Sequence, residues 1–132
     1  MNIHAFKLIM LGVAQLALAF AAHELGHVLA ARWFGVPIRK LGFGRLGPYV
    51  RRARTTGWPE IVICLAGAAV NLALAIAFWN ADHWFAVCNF TFGWVNLLPI
   101  ANSDGTHALE ALRELRWARL VERTGKAAHG SL

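Results

Sequence analysis

Three long apolar stretches, residues 8–31, 61–79 and 84–101, constrain this chain more than any other feature. At 1.5 Å per helical residue, each is about long enough to cross a hydrocarbon core of ~30 Å. Together they take nearly half of the 132 residues and leave too little sequence for a separate soluble core. The chain is 58% hydrophobic and only 15% charged, against about 25% charge in an ordinary soluble domain. Disorder, a disulfide-stapled secreted scaffold and a soluble enzyme are thereby disfavoured. The expected fold is mainly α, a single membrane-embedded domain over residues 1–132 built on three transmembrane helices.

The basic residues give an expected orientation. Seven of the 13, Arg32, Arg39, Lys40, Arg45, Arg51, Arg52 and Arg54, lie between the first two apolar stretches with no acid among them. Residues 80–83 carry no Lys or Arg, and the N-terminal segment has only Lys7. Short loops rich in Lys and Arg stay cytoplasmic. The N-terminus and residues 80–83 are therefore expected outside, residues 35–57 and the C-terminus inside, in a multi-pass protein of a bacterial-type cytoplasmic membrane. Trp33 and Trp58 would flank the inner interface, Trp79 and Trp84 the outer one. The net charge of +6 thus serves topology, and without a recognition motif no nucleic-acid partner is expected. A signal peptide ending at Ala17-Leu18-Ala19 is the weaker reading, because the apolar run continues to Ala31. Cys64 and Cys88 should lie roughly 15–20 Å apart in depth, too far for a disulfide.

Local signals divide the chain further. The spans are expected at about 6–34, 59–79 and 84–101, with Pro59 opening the second and Pro99 breaking the third. Residues 36–56 mix β-branched and aromatic residues with Gly42, Gly44, Gly47 and Pro48, which favours a short membrane-associated β segment. From 104 to about 123, Leu109, Leu112, Leu115 and Leu120 among Arg and Glu suggest an amphipathic helix on the inner membrane surface. Residues 125–132 are expected to fray.

Ionisable groups inside a span are costly and mark function by default. The first span holds His23, Glu24 and His27 in the string HELGH. On a helix, positions i and i+4 share a face, so both imidazoles can reach one metal, while Glu24, about 100° away, can reach a water there without being a ligand. A buried, hydrogen-bonded His pair is the bland alternative. A tetrahedral zinc site needs a third protein ligand and an open position. Trp33 occupies the place where a metzincin would have its third histidine. The candidates are Glu60, Asp82, His83, Asp104, His107, Glu110 and Glu114. Depth disfavours Asp82 and His83. A straight third helix would leave Asp104 about 10 Å short of the histidines, so Asp104 requires an unwound segment around 99–105, with Glu60 in reserve. Asn71 on the second span is read equally as an interhelical hydrogen bond or as a holder of a substrate carbonyl. Asn89 and Asn96 read as structural.

Three ordered blocks then resemble the site-2 protease family of intramembrane zinc metalloproteases. HELGHVLAARWFGV followed by GFGRLGP is similar to the zinc helix and β segment of that family, GAAVN to its G-P-x-x-N, and NLLPIANSDGTHAL to its N-x-x-P-x-x-x-x-D-G motif. Ala68 stands where the family usually has proline, and Ser103 where it commonly has a bulky apolar residue. The resemblance implies one zinc per chain held by His23, His27 and Asp104, with Glu24 as catalytic base and Asn71 as a substrate-positioning residue. It further implies peptide-bond hydrolysis within or near transmembrane segments of membrane-protein substrates in the lipid bilayer. The competing readings are a non-catalytic pseudoprotease or membrane scaffold with a structural metal site and, more remotely, a metal-ion transporter.

Overall fold

The computed structural model describes residues 2–44 and 47–129. Helix α1 runs Ile3–Trp33, strand β1 Ile38–Gly44 and strand β2 Gly47–Arg52, followed by helices α2 (Trp58–Phe78), α3 (His83–Leu97) and α4 (Asp104–His129). Among the described residues the fold is mainly helical with one small sheet, and α1 and α2 are long and apolar enough to cross a membrane. On α1, Leu8, Ile9, Leu11, Leu18, Leu25 and Leu29 are each more than half exposed, an apolar surface that the rest of the described chain leaves uncovered.

Helix α1 stops where its sequence directs. Gly35 takes the left-handed conformation at φ 67°, its N–H bonds to Arg32 O, and Val36 N–H reaches Ala31 O at 2.8 Å. These are the two bonds of a Schellman cap, with Val36 and Ala31 packed together as its apolar contact. The chain then enters the antiparallel β1–β2 hairpin, in register from Ile38 opposite Arg52 to Gly44 opposite Gly47, with an irregularity between Ile38 and Lys40. Val36 and Ala31 share a small core with Ile63 of α2. Arg52 of β2 grips Glu60 in the first turn of α2 through two bonds of 2.7 and 2.8 Å, a bidentate pair that fixes the hairpin to α2.

The helices cross at small residues. A methyl on Gly26 of α1 would come within 2.7 Å of Ala66 O on α2, and one on Gly93 of α3 within 3.0 Å of Ala68 O. Such contacts let backbones approach closely. At the other end of the bundle Gln15 of α1 donates to Asp82 at 2.6 Å, and Asp82 caps α3 by accepting from Phe85 N–H.

Helix α3 is shorter than expected. It ends at Leu97, and Leu98 is already extended at φ −69°, ψ 136°, because the residue before a proline avoids the α region. Its 15 residues measure about 22 Å, against the ~30 Å of a full span. Helix α4 is longer than expected. It passes Gly125 and reaches His129, so only the last part of the segment expected to fray, residues 130–132, lies outside the described residues. The first half of α4 buries Ala108 and Ala111, while Trp117, Leu120 and Val121 are exposed. Both cysteines are free, as their separation in depth required.

Candidate metal centre

His23 and His27 lie one turn apart on α1, and their Nε2 atoms approach to 3.1 Å. Asp104, the first residue of α4, brings its Oδ2 to 2.8 Å from His23 Nε2 and 3.3 Å from His27 Nε2. His23 and His27 are largely buried and Asp104 about one-fifth exposed. Each ring is held from behind. His27 Nδ1 faces the backbone carbonyl of Ile63 at 2.7 Å, and His23 Nδ1 faces Asn71 Oδ1 at 3.1 Å. Both partners are oxygens that can only accept, so each Nδ1 carries a proton, and in the neutral rings each Nε2 presents a lone pair. Three electron-pair donors therefore converge on one point, and a cation there relieves their mutual repulsion. Ligands about 2.0–2.1 Å from a tetrahedral zinc are spaced about 3.3 Å apart, close to the separations seen, so the residues fit such an ion.

The space around the cluster is kept open by Gly67. A methyl at that position would lie 2.5 Å from His27 Nε2 and 2.8 Å from His23 Nε2. Any residue but glycine there pushes the imidazoles aside.

Asp104 arrives because the chain is irregular between α3 and α4. Ser103 organises this segment. Its hydroxyl donates to Leu98 O and accepts from the N–H groups of Ile100 and Thr106, both at 3.3 Å. The bond from Thr106 makes Ser103 the N-cap of α4, while His107 N–H bonds to its carbonyl at 3.2 Å. Ala101 sits at φ 49°, a left-handed conformation costing on the order of 1 kcal/mol for a non-glycine residue. The unwound segment that Asp104 requires is thus present, and its organiser is a residue that the sequence motif marks only as a departure.

Glu24 is half-buried beside the cluster. It lines a polar cavity of about 790 Å³ with His27, Asp104, Arg52 and His107. It also lines an apolar groove of about 760 Å³ between α1 and the hairpin, walled by Phe20, Leu41, Phe43 and Val50. The carboxylate therefore stands where a polar cavity meets an apolar groove.

The other candidates lie elsewhere or are engaged. Glu60, the reserve ligand, is held by Arg52 and by Thr55 N–H. Asp82 belongs to the Gln15 contact, and His83 packs edge-on against Trp79. Glu114 pairs with Arg54 at 2.7 Å on the exposed face, and His107 faces Glu110 at 3.5 Å. Asn71 is fully buried and sits behind His23. Its amide nitrogen donates to Ala19 O and Asn89 Oδ1, both at 3.0 Å, and its oxygen faces His23. These are interhelical hydrogen bonds, and they engage both amide N–H donors of the side chain. Asn89 was legible only as a structural polar residue, and no local signal ties it to the site.

Two histidines at helical spacing with a glutamate between them, joined by a third donor beside a cavity, form the arrangement of the HExxH zinc hydrolases. The model of peptidase family M50 matches residues 11–81, and the chain belongs to that family. This is the family of the site-2 proteases, which the three sequence blocks resemble. Rip3 of Mycobacterium tuberculosis, named as a zinc metalloprotease, is 28% identical over 118 residues, in two strains. The match covers 76% of this chain and 30% of Rip3, so the chain spans about a third of the length of that relative. Among solved structures, the site-2 protease from Methanocaldococcus jannaschii aligns with a TM-score of 0.66 at 24% identity, over 75% of this chain and 52% of that one, a likeness of fold. Asp104 lies beyond the family-matched segment, and its place in the cluster rests on the geometry.

Proposed function

We propose that the protein is an intramembrane zinc endopeptidase of the site-2 protease type, cutting membrane-protein substrates within or near their transmembrane segments. The observation that carries this reading is the convergence of His23 Nε2, His27 Nε2 and Asp104 Oδ2 beside Glu24. These three side chains would hold one zinc per chain. When bound, the ion supplies a Lewis acid that brings a water near neutral pKa and polarises the scissile carbonyl. Glu24 takes the proton of the attacking water and returns it to the leaving amine nitrogen. Its position between the polar cavity and the apolar groove suits that role, because water and an apolar substrate reach it from different sides. Asn71 acts as a positioning residue that holds His23, in place of the substrate contact expected from the resemblance.

In this reading α1 and α2 span the membrane. The shorter α3 completes a third crossing with the irregular segment after it, where non-helical backbone is tolerated because it lines a protein cavity. The basic hairpin and α4 face the cytoplasm and the N-terminus lies outside. A substrate helix hides its peptide bonds in its own hydrogen bonds and must unwind before cleavage. The hairpin edge beside the apolar groove supplies replacement backbone partners by strand addition.

The test is cleavage of single-span membrane substrates by purified protein in detergent, with Glu24→Gln and a chelated sample alongside. The expected result is a loss of about 10²–10⁴-fold in the variant, with its zinc retained, and loss on chelation restored by zinc. Cleavage by Glu24→Gln at the wild-type rate removes the base from the mechanism. A zinc-loaded wild type that cuts nothing, yet supports a cellular function that Glu24→Gln also supports, establishes the scaffold reading.

A further inference from the structure

The two histidines are fixed by different devices. His27 leans on a backbone carbonyl, Ile63 O, which can act only as an acceptor. His23 leans on an asparagine amide, whose oxygen and nitrogen can exchange places by a flip of the side chain. With the nitrogen of Asn71 turned towards the ring, His23 Nδ1 would have to accept, its proton would move to Nε2, and the lone pair needed for a metal would be lost. Something must therefore set the direction of Asn71.

The contacts on α3 supply it. Asn89 is fully buried, and its Nδ2 donates to Phe85 O one turn earlier at 2.9 Å. That carbonyl can only accept, so the oxygen of Asn89 must face the other way, where it accepts from Asn71 Nδ2 at 3.0 Å. Ala19 O, a second obligatory acceptor, meets the same nitrogen at 3.0 Å. A flipped Asn71 would set its oxygen against two acceptors at that distance, in the dry interior where an unmade hydrogen bond costs most. Each link from Phe85 O to Asn89, Asn71 and His23 has one allowed direction.

We propose that Asn89 is a positioning residue of the metal centre, acting through Asn71 to hold His23 with its proton on Nδ1 and its Nε2 free. It touches neither the convergent atoms nor either of the two cavities described above. The inference rests on the metal-centre reading above, but the hydrogen-bond chain it invokes is present without a metal.

The experiment compares wild type, Asn89→Val and Asn89→Thr, all purified full-length in detergent. Valine and threonine have nearly the same shape, and only threonine keeps a hydroxyl able to donate to Phe85 O and accept from Asn71. The first readout is titration with cobalt(II), followed by its visible absorption. The expected result is tight binding by wild type and Asn89→Thr, with affinity about 10–100-fold weaker in Asn89→Val. The second readout is ¹⁵N NMR of histidine-labelled, metal-free protein at a pH where the ring is neutral, each protein also carrying Asp104→Ala, which removes the carboxylate that would otherwise hold a proton on His23 Nε2. Protonation of His23 at Nδ1 where Asn89 is kept and a tautomer mixture with Asn89→Val are expected. Equal affinity in all three proteins overturns the proposal. Should Asn89→Val fail to fold, His23 protonated at Nε2 in the metal-free Asp104→Ala protein that keeps Asn89 overturns it as well. A wild type that binds no cobalt strikes the metal-centre reading instead, and the tautomer of His23 then decides the relay by itself.

Discussion

The three convergent side chains reach one point by opposite routes. His23 and His27 are four residues apart on one regular helix, so the helical repeat alone places their rings on a common face. Asp104 comes from the far end of the chain and depends on a helix that stops, six residues outside any helix, and a second helix that begins at the aspartate itself. The first arrangement needs only α1 to be straight. The second needs Leu98 extended, Ala101 left-handed and the Ser103 hydroxyl bonded on three sides. A ligand pair built into a helix is robust to its surroundings, whereas a ligand carried by a break is only as well placed as the loop that carries it.

Substitutions that invade the histidine side should have the largest effect. Gly67→Ala sets a methyl where His27 Nε2 and His23 Nε2 now stand, so both rings must move together. Metal affinity is expected to fall more than about 100-fold, beyond the usual cost of losing one supporting contact, as measured by competition with a chelating dye. Near wild-type affinity in this variant would mean that α1 and α2 separate easily, and the contrast between a rigid side and a yielding side would fail. Asn71→Leu removes the acceptor behind one ring while Ile63 O still holds the other. The expected loss of affinity is about 10–100-fold in the same assay. Ser103→Ala acts on the aspartate side. It takes away the cap of α4 and the hydroxyl bonds that shape the break, at a cost of about 1 kcal/mol. That corresponds to roughly a fivefold drop in metal affinity, with little change in helix content by circular dichroism.

The same contrast explains what could be read in the sequence. The helix-borne features were legible because they obey local periodicities. HELGH spells out the shared face, and hydropathy locates α1 and α2 to within a few residues. The β-branched and glycine-rich run marks the hairpin. Pro99 announces the break, although α3 stops at Leu97 because the proline acts on its predecessor. The rest depends on contacts between distant segments. Ser103 reads as a departure from a motif until its hydroxyl is seen to bond Leu98 O and Thr106 N–H. Glu60 remains a plausible ligand until Arg52 is seen to hold both its oxygens. Asn71 reads equally as a substrate contact or an interhelical bond until Ala19, Asn89 and His23 surround it. At Gly125 the sequence suggests an end to α4, yet one glycine costs a helix only about 1 kcal/mol, and α4 continues to His129.

The most direct test of the account is the zinc content of detergent-purified wild type and Asp104→Ala, each folded, supplemented with zinc and then desalted. The account predicts close to one zinc per chain in the wild type and a clear loss in the variant, because two histidines alone leave a tetrahedral ion short of a protein ligand. A folded wild type without zinc, or an Asp104→Ala variant that keeps its full complement, would contradict it.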